Sequence, residues 1–147
     1  MDPIRVGVVS RSFPSLTHDE IARTLKEAGA VSTELCLHSA DTSYWVYNGR
    51  SDLSTLTDEK FAGIVEAYRR RGVDIPAFGV FTNLIDPDDD ERERNLDYYE
   101  EHMRLAAKQG IPFLPTECGF TPHERGVNSD RYEEDFDRLV RSLRDLC

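Results

Sequence analysis

The fold is decided by residues 4–37, which read IRVGVVSRSFPSLTHDEIARTLKEAGAVSTELCL. Two runs rich in β-branched side chains, Ile4–Ser10 and Val31–Leu37, stand at the ends of this stretch and predict two buried strands. Between them, Thr17 and Glu20 have the three-residue spacing of a capping box, which predicts that a helix begins at Thr17. The stretch therefore predicts a strand–helix–strand unit whose two strands are parallel.

The same alternation of strands and helices continues along the rest of the chain. The predicted strands are Ile4–Ser10, Val31–Leu37, Ile75–Phe81 and Pro112–Cys118. The predicted helices begin at Thr17, near Asp58, at Asp86–Pro87 and near Asp130, and the glycines that close the first three are Gly29, Gly72 and Gly110. The side chains expected to face inward are Ile21, Leu25 and Ala28, then Phe61, Ile64, Val65 and Tyr68, then Leu96, Tyr99, Met103 and Ala106, and finally Phe136, Leu139, Val140 and Leu143.

Four successive βα units predict an α/β protein, and they fit either a small doubly wound sheet or half of a barrel. A doubly wound nucleotide-binding domain usually has a glycine-rich turn after its first strand, whereas Ser10–Pro14 contains no glycine. A complete barrel needs about 250 residues, and this chain has 147. We therefore expect one domain over residues 1–147, made of four consecutive parallel βα units that form half of a (β/α)8 TIM barrel and truncated relative to the full barrel.

The composition excludes several classes of partner. The formal net charge is -10 at pH 7 and no basic stripe is present, which disfavours a nucleic-acid partner. No apolar stretch approaches the roughly 18 residues of a membrane span, so no membrane association is expected. The three cysteines lack CxxC spacing and the N-terminus lacks the regions of a signal peptide, so we expect a cytoplasmic protein.

Several motifs, taken in order, carry a resemblance to a known family. These motifs are Val6–Ser10, His18–Ala22, Ala28–Ala30, Thr33–Leu37, Asn83–Pro87, Arg92–Arg94, Ala106–Pro112 and Thr116–Gly119. With this order and spacing, the chain resembles the xylose isomerase-like barrels, which include sugar phosphate isomerases and epimerases. The resemblance implies a TIM barrel that binds a small-molecule sugar or sugar phosphate.

The resemblance also implies a cofactor. Proteins of this family hold a divalent metal ion, often Mn, Mg, Co or Zn, at the C-terminal mouth of the barrel, and carboxylates move a proton between neighbouring carbons through an enediolate. In the epimerase branch the ligands are of the Glu, Asp, His, Glu type at the ends of strands five to eight, outside the four units predicted here. The resemblance therefore places no metal ligand in this chain, and we expect the chain alone to bind no metal and to be inactive.

Functional side chains of a barrel gather at the C-terminal ends of its strands. The candidate substrate-binding residues at these ends are Glu34, His38, Trp45, Asn83 and Glu117. Other residues at the same ends are Ser10, Arg11, Phe13, Tyr44, Thr82 and His123, while His18 belongs to a helix start and is expected to be structural.

Each candidate keeps a structural alternative. Glu34 could form a buried ion pair as readily as it could accept a hydrogen bond from a sugar hydroxyl. His38 could be a hydrogen-bonded loop residue, Trp45 could cover the mouth or an interface instead of stacking on a sugar, and Asn83 could stabilise the turn that follows it. Glu117 is the strongest candidate because it ends the fourth predicted strand, and contact with substrate is favoured over contact with a metal.

Three hypotheses of function follow. The leading one is the N-terminal half of a metal-dependent sugar or sugar phosphate isomerase/epimerase, which needs a complementary half-barrel. The alternative is a non-catalytic half-barrel that self-associates, for example as a homodimer, and binds a small polyol or a protein partner, because unpaired sheet edges invite pairing. A third, an abasic-site nuclease of the same barrel family, is disfavoured by the acidic charge and by the small number of histidines, four in all.

Overall fold

A computed structural model of the chain describes residues 5–121 and 129–147. The strands are β1 (Gly7–Val9), β2 (Ser32–Leu35) and β3 (Asp74–Phe78). The helices are α1 (His18–Glu27), α2 (Asp58–Arg69), α3 (Asp89–Lys108) and α4 (Tyr132–Asp145), and short 3-10 helices lie at Ser10–Ser12 and Ser129–Arg131. None of the helices in these two ranges is long and apolar enough to cross a membrane.

The three strands form one sheet in the order β1-β2-β3, and both neighbouring pairs are parallel. In register, Val9 lies opposite Glu34, and Glu34 lies opposite Ala77. An α-helix follows each strand before the next one begins, so the α/β class and the parallel pairing predicted from the sequence are confirmed.

The predicted fourth strand, Pro112–Cys118, is not a strand in the structure, and this part of the prediction is corrected. The segment runs beside β3 in the parallel direction through two backbone hydrogen bonds, from Phe78 N to Phe113 O (2.9 Å) and from Val80 N to Pro115 O (3.2 Å). Its two prolines have no N–H group to donate to a neighbouring strand, which limits regular pairing. The described residues therefore contain three strands and an extended fourth segment.

The helix boundaries follow the local signals closely. Thr17 Oγ1 accepts a hydrogen bond from Glu20 N, and Glu20 Oε2 accepts one from Thr17 N at 2.9 Å, so the predicted capping box is confirmed. Gly29, Gly72 and Gly110 have φ angles of 81°, 69° and 63°. A residue with a Cβ atom is strained in these left-handed conformations. This explains why glycine closes each of the first three helices.

The start of α3 differs from the prediction. The helix begins at Asp89, after an N-cap at Asp88 whose carboxylate accepts a hydrogen bond from Glu91 N at 3.0 Å. Pro87 therefore precedes the cap and does not occupy the first helical turn. The Asp88 side chain satisfies one of the free N–H groups of the first turn, so the cap forms at Asp88, two residues after Asp86.

Two apolar clusters form the core. The larger one contains buried side chains of the sheet, α1 and α2, among them Ile21, Leu35, Phe61 and Phe78. The smaller one contains Val80, Leu84, Leu96 and Tyr99, and residues of α4 pack against it. The inward face predicted for α2 is buried throughout, whereas Ala28 at the end of α1 is exposed.

The apolar pattern of α4 predicts which face of the helix packs against the rest of the chain. In the structure a different face packs there. Phe136 and Leu143, expected inward, are 49% and 43% exposed. Ser142 is buried instead, and its hydroxyl donates a hydrogen bond to Leu84 O at 2.7 Å. Arg138 is buried as well and pairs with two carboxylates of its own helix. These polar contacts fix the rotation of the helix, and its apolar side is left partly open.

Candidate functional site

Seven side chains that follow the strands toward the C-terminal mouth make up what we call the mouth cluster. They are Arg11, Glu34, His38, Trp45, Tyr47, Phe81 and Glu117. The C-terminal ends of parallel strands meet at one edge of a sheet, and this is why residues far apart in sequence come together here.

The aromatic part of the cluster is centred on Trp45. The centroid of its ring lies 5.8 Å from that of His38, 6.2 Å from that of Tyr47 and 5.9 Å from that of Phe81. The Arg11 guanidinium lies over the same ring, 5.1 Å from its centroid. Such distances are typical of aromatic and cation–π contacts, so the rings form one continuous surface.

One donor in this surface has no partner among the residues that the structure describes. The Nε1 atom of Trp45 is buried and makes no hydrogen bond within the described residues. A buried donor without a partner costs about 1–3 kcal/mol. A hydroxyl oxygen of a bound ligand, or a water molecule, would satisfy it.

Tyr47 and Glu117 connect two loops across the mouth. The Tyr47 hydroxyl donates a hydrogen bond to Glu117 Oε2 at 2.7 Å, and both residues are exposed. This hydrogen bond is the main reason why the pKa of Tyr47 lies above its ordinary value. Glu117 is thus at the mouth, as predicted from its place after the fourth segment.

Glu34 is half-buried near the end of β2, and its carboxylate forms no salt bridge with any described residue. Its Oε1 atom lies against Gly79, where a Cβ atom would be 2.6 Å from that oxygen and 2.9 Å from Cys36 Sγ. The ion-pair alternative therefore loses support, and a ligand hydroxyl is the more natural partner of this carboxylate. Burial, with a smaller effect of Glu34, raises the pKa of the Cys36 thiol to about 12, so this thiol is neutral and is a poor nucleophile.

His38 lies at the rim of the cluster. Its backbone forms an isolated antiparallel bridge with Ser43, and its half-buried ring faces Trp45. The ring nitrogens that are hydrogen-bonded in the described part of the chain belong to His18 and His102. His38 is therefore available to a ligand, and its predicted role in binding substrate remains a prediction.

Asn83 has a clear structural task. Its Oδ1 accepts a hydrogen bond from Phe120 N (3.0 Å), and its Nδ2 donates to Phe120 O (2.8 Å) and Asp86 Oδ2 (3.1 Å). The residue is 3% exposed. These contacts favour the turn-stabilising alternative, and they hold the segment that carries Glu117. Its predicted contact with substrate is untested.

Tyr44, next to Trp45 in the sequence, lies apart from the mouth cluster. Its hydroxyl accepts a hydrogen bond from Lys60 Nζ at 2.6 Å and pairs with Thr55 Oγ1 at 2.8 Å. The bond from Lys60 is the main cause that lowers the pKa of Tyr44. These residues line a polar cleft of about 490 Å³ beside α2, which also contains Asp52.

His18 belongs to a buried polar network outside the mouth. Its Nδ1 lies 2.8 Å from the Tyr68 hydroxyl, and its Nε2 lies 2.9 Å from Thr42 Oγ1. Burial lowers the pKa of His18 to about 4, so the ring is neutral near pH 7. These contacts agree with the structural role predicted for it.

The described side chains do not form a site for a divalent metal ion. Within residues 5–121 and 129–147, no three His, Cys, Asp or Glu side chains form a group that could hold a metal ion. His123, named from the sequence, lies outside the described residues.

Sequence reasoning did not select three members of the cluster. Arg11 lies at a predicted strand end but is not among the predicted substrate-binding residues, and neither are Tyr47 and Phe81. A signal for Tyr47 was present, since it closes an aromatic run that includes Tyr44 and Trp45. Phe81 was assigned to the third strand, and only its contacts with Trp45 and Tyr47 reveal its place.

Comparison with known proteins connects this fold to a family. The chain is similar in fold to a proposed xylose isomerase from Rhodospirillum rubrum ATCC 11170, with a TM-score of 0.72 and 15% identity, over 98% of this chain and 49% of that one. It is also similar to D-psicose 3-epimerase, solved with D-tagatose, from Clostridium cellulolyticum H10, with a TM-score of 0.68 and 14% identity, over 97% of this chain and 47% of that one.

The chain thus spans about half the length of these solved structures. No curated protein matches it in sequence. The family model described as xylose isomerase-like TIM barrel matches residues 22–147. Because this match covers most of the chain, the protein belongs to the xylose isomerase-like TIM barrel family.

Proposed function

We propose that the chain is the first half of the barrel of a metal-dependent sugar isomerase/epimerase and that the mouth cluster binds the sugar. The family and the two fold neighbours, a proposed xylose isomerase and a D-psicose 3-epimerase, support a sugar as the ligand class. The observation that carries the proposal is the mouth itself, where, among the described residues, Glu34 forms no salt bridge and Trp45 Nε1 has no hydrogen-bond partner, beside a continuous aromatic surface.

A sugar suits this surface for a physical reason. One face of a sugar ring presents C–H groups that pack on aromatic rings such as those of Trp45 and Phe81, and its hydroxyls need hydrogen-bond partners. The carboxylates of Glu34 and Glu117 accept hydrogen bonds, whereas Arg11 and Trp45 Nε1 donate them. The mouth therefore offers both kinds of partner within one surface.

The metal ion expected for the family, Mn, Mg, Co or Zn, has no ligand group in the described residues. In this proposal its ligands, and the proton transfer through an enediolate, belong to the complete barrel and not to this half alone. The role of this chain is to bind and orient the sugar, since correct placement of a reactant lowers the barrier of the step that follows.

The binding step can be tested on the chain itself. Trp45 is the only tryptophan, so its fluorescence reports directly on the mouth. We expect a saturable change on titration with ketohexoses and their phosphate esters, and a weaker affinity in the Glu34→Gln variant. Glu27→Gln, at an exposed position in α1, is the matched control and should bind as the unchanged chain does. No saturable change up to about 100 mM sugar, far above ordinary KM values, would contradict the proposal.

Catalysis needs a second experiment. The chain is mixed with a matching C-terminal half-barrel and Mn, and epimerisation of a ketose is followed. A folded complex with no turnover would count against the isomerase/epimerase activity but would leave sugar binding at the mouth intact.

A second candidate function is a non-catalytic half-barrel that self-associates and binds a polyol or a protein. The open apolar side of α4, where Tyr132 and Phe136 are 61% and 49% exposed, favours it. A chain that binds sugar but shows no turnover with any matching half would support this candidate.

A further inference from the structure

Helix α3 contains a buried asparagine, Asn95, which is 3% exposed. Asparagine is unfavourable inside a helix because its side chain competes for backbone hydrogen bonds. A buried amide group also costs free energy unless it is hydrogen-bonded. The partners of this side chain therefore show what the residue does in the fold.

The oxygen of the Asn95 side chain connects α3 to an arginine of the loop between β2 and α2. Asn95 Oδ1 accepts hydrogen bonds from Arg50 Nη1 and, at 3.0 Å, from Thr82 Oγ1. Arg50 Nη2 also donates to Glu91 Oε2 at 2.7 Å, one helical turn before Asn95. Hydrogen bonds from a charged guanidinium are stronger than those between neutral groups, so Arg50 is held firmly on α3.

The segment that ends with this arginine carries two residues of the mouth cluster. We call residues 45–51 the mouth loop, since it contains Trp45 and Tyr47. The mouth loop makes no backbone–backbone hydrogen bond with any other described segment. It is tied to α3 through side chains, by Arg50 and by Ser51, whose hydroxyl lies 3.0 Å from that of a tyrosine in α3. The position of the loop therefore depends on these side-chain contacts.

The nitrogen of the same amide leads to the other side of the mouth. Asn95 Nδ2 donates a hydrogen bond to Asn83 O at 2.8 Å. The Asn83 side chain in turn bonds to Phe120, accepting from its N at 3.0 Å and donating to its O at 2.8 Å. Phe120 lies three positions after Glu117. A second series of hydrogen bonds thus runs from Asn95 to the segment that carries Glu117.

We propose that Asn95 is a positioning residue of the mouth, which holds the mouth loop and the segment with Glu117 in fixed places relative to each other. The two series of hydrogen bonds start at the two ends of one amide group and reach the two segments that meet where Tyr47 donates to Glu117. Asn95 has no hydrogen bond with any member of the mouth cluster among the described residues, so it acts through its neighbours. The role in ligand binding rests on the proposed function.

An amide group suits this role because it contains an acceptor and two donors in one plane. Aspartate has the same shape and keeps the acceptor, but as a carboxylate it has no donor for Asn83 O. The two series of hydrogen bonds can therefore be interrupted one at a time. Ordering of loops and side chains opposes binding, so a mouth that is ordered in advance should bind its ligand more tightly.

Two variants test the two series of hydrogen bonds separately. Asn95→Asp, ionised beside the Arg50 guanidinium, should loosen the segment with Glu117 and leave the mouth loop in place. Arg50→Ala should loosen the mouth loop, which shifts the fluorescence emission of Trp45 to longer wavelength. Both should weaken the contact between Tyr47 and Glu117, so the pKa of Tyr47, raised by that contact, should move back toward 10.0. Both should also raise the dissociation constant for a ketohexose by about fivefold.

Arg71→Ala is the matched control. The Arg71 side chain is 24% exposed, close to the 29% of Arg50, and it makes two hydrogen bonds to Asp19, at 2.8 and 2.7 Å. It ties the end of α2 to α1, away from the mouth. This variant should leave the Tyr47 titration, the Trp45 emission and the sugar affinity unchanged. Circular dichroism confirms that each variant is folded.

The Tyr47 and Trp45 signals need no sugar, so they separate this inference from the proposed function. Folded variants of Asn95 and Arg50 that leave both signals unchanged would overturn the positioning role, and so would a sugar affinity that neither variant weakens. If the unchanged chain binds no sugar, the proposed function is contradicted. The two signals then still show whether Asn95 fixes the two sides of the mouth.

Discussion

Gly79, the residue after β3, lets the carboxylate of Glu34 come close to the backbone, and replacing it with alanine should disturb the mouth. A Cβ at this position would lie 2.6 Å from Glu34 Oε1, 2.9 Å from Cys36 Sγ and 3.0 Å from Phe81 Cε2. The Glu34 carboxylate is the end of a flexible side chain and can move away at little cost. The Cys36 sulfur is buried and cannot, so it sets the main part of the destabilisation.

Overpacking of one methyl group in a packed site costs about 1–3 kcal/mol. Because part of the clash is relieved by Glu34, we expect Gly79→Ala to lower the free energy of unfolding by about 1.5 kcal/mol. In a chain of this size the melting temperature should then fall by about 4 °C. The displaced carboxylate should also weaken sugar binding reported by Trp45 fluorescence.

The matched control is the same substitution at Gly63. This glycine lies inside α2, and a Cβ there meets no atom within 4 Å. Alanine has the higher helix propensity, so Gly63→Ala should raise the free energy of unfolding by about 0.5–1 kcal/mol. Urea unfolding of both variants measures the contrast. Equal effects of the two substitutions, or an unchanged stability in Gly79→Ala, would refute the reasoning about close contact at Gly79.

Three further predictions concern titration and helix capping. Burial lowers the pKa of His18 from 6.5 to about 4, so the unfolded chain binds more protons than the folded one between these pH values. The free energy of unfolding should therefore fall by up to about 3 kcal/mol as the pH drops from 6.5 to 4. Urea unfolding of His18→Gln should show a smaller pH dependence over that range, and a pH dependence equal to that of the unchanged chain contradicts the assignment. Asp88→Ala should cost about 1 kcal/mol through loss of the α3 N-cap, whereas Asp90→Ala, which removes a first-turn charge but no cap, should cost less in thermal unfolding. Glu117→Gln should bring the raised pKa of Tyr47 down toward 10.0. Ultraviolet titration measures it as the component, among those of the six tyrosines, that is lost in Tyr47→Phe, and an unchanged component would show that the hydrogen bond between them is absent in solution.

Local signals in the sequence were sufficient where the structure is decided locally. The capping box at Thr17 and Glu20 and the left-handed glycines at the helix ends depend on residues within one or two turns, and they were predicted correctly. The rotation of α4 was not, because a hydrogen bond from Ser142 to Leu84 decides it. Those two residues are 58 positions apart, and no periodic pattern reveals such a contact.

The candidate site likewise has one part that the sequence predicts and another that it does not. The rule that function gathers at the C-terminal ends of strands located Glu34, Trp45 and Glu117 at the mouth, since it follows from parallel topology alone. The partners of these residues could not be predicted, because the pairing of Tyr47 with Glu117 depends on how two loops fold back over the sheet. For this reason the positions of Tyr47 and Glu117 in the sequence do not predict their contact.

The mouth and the open sheet edge are physically linked through the segment that follows Phe113. This segment carries Glu117, yet it joins β3 by only two backbone hydrogen bonds and the turn around Asn83. A strand that paired with its free edge would restrict its motion and would hold Glu117 in place before a sugar arrives. Coupling between two binding events is reciprocal, so a sugar that orders the same segment would favour the partner strand by an equal factor. Under the proposed function we therefore expect the half-barrel to bind sugar weakly by itself, and pairing of the free edge to make the mouth more rigid.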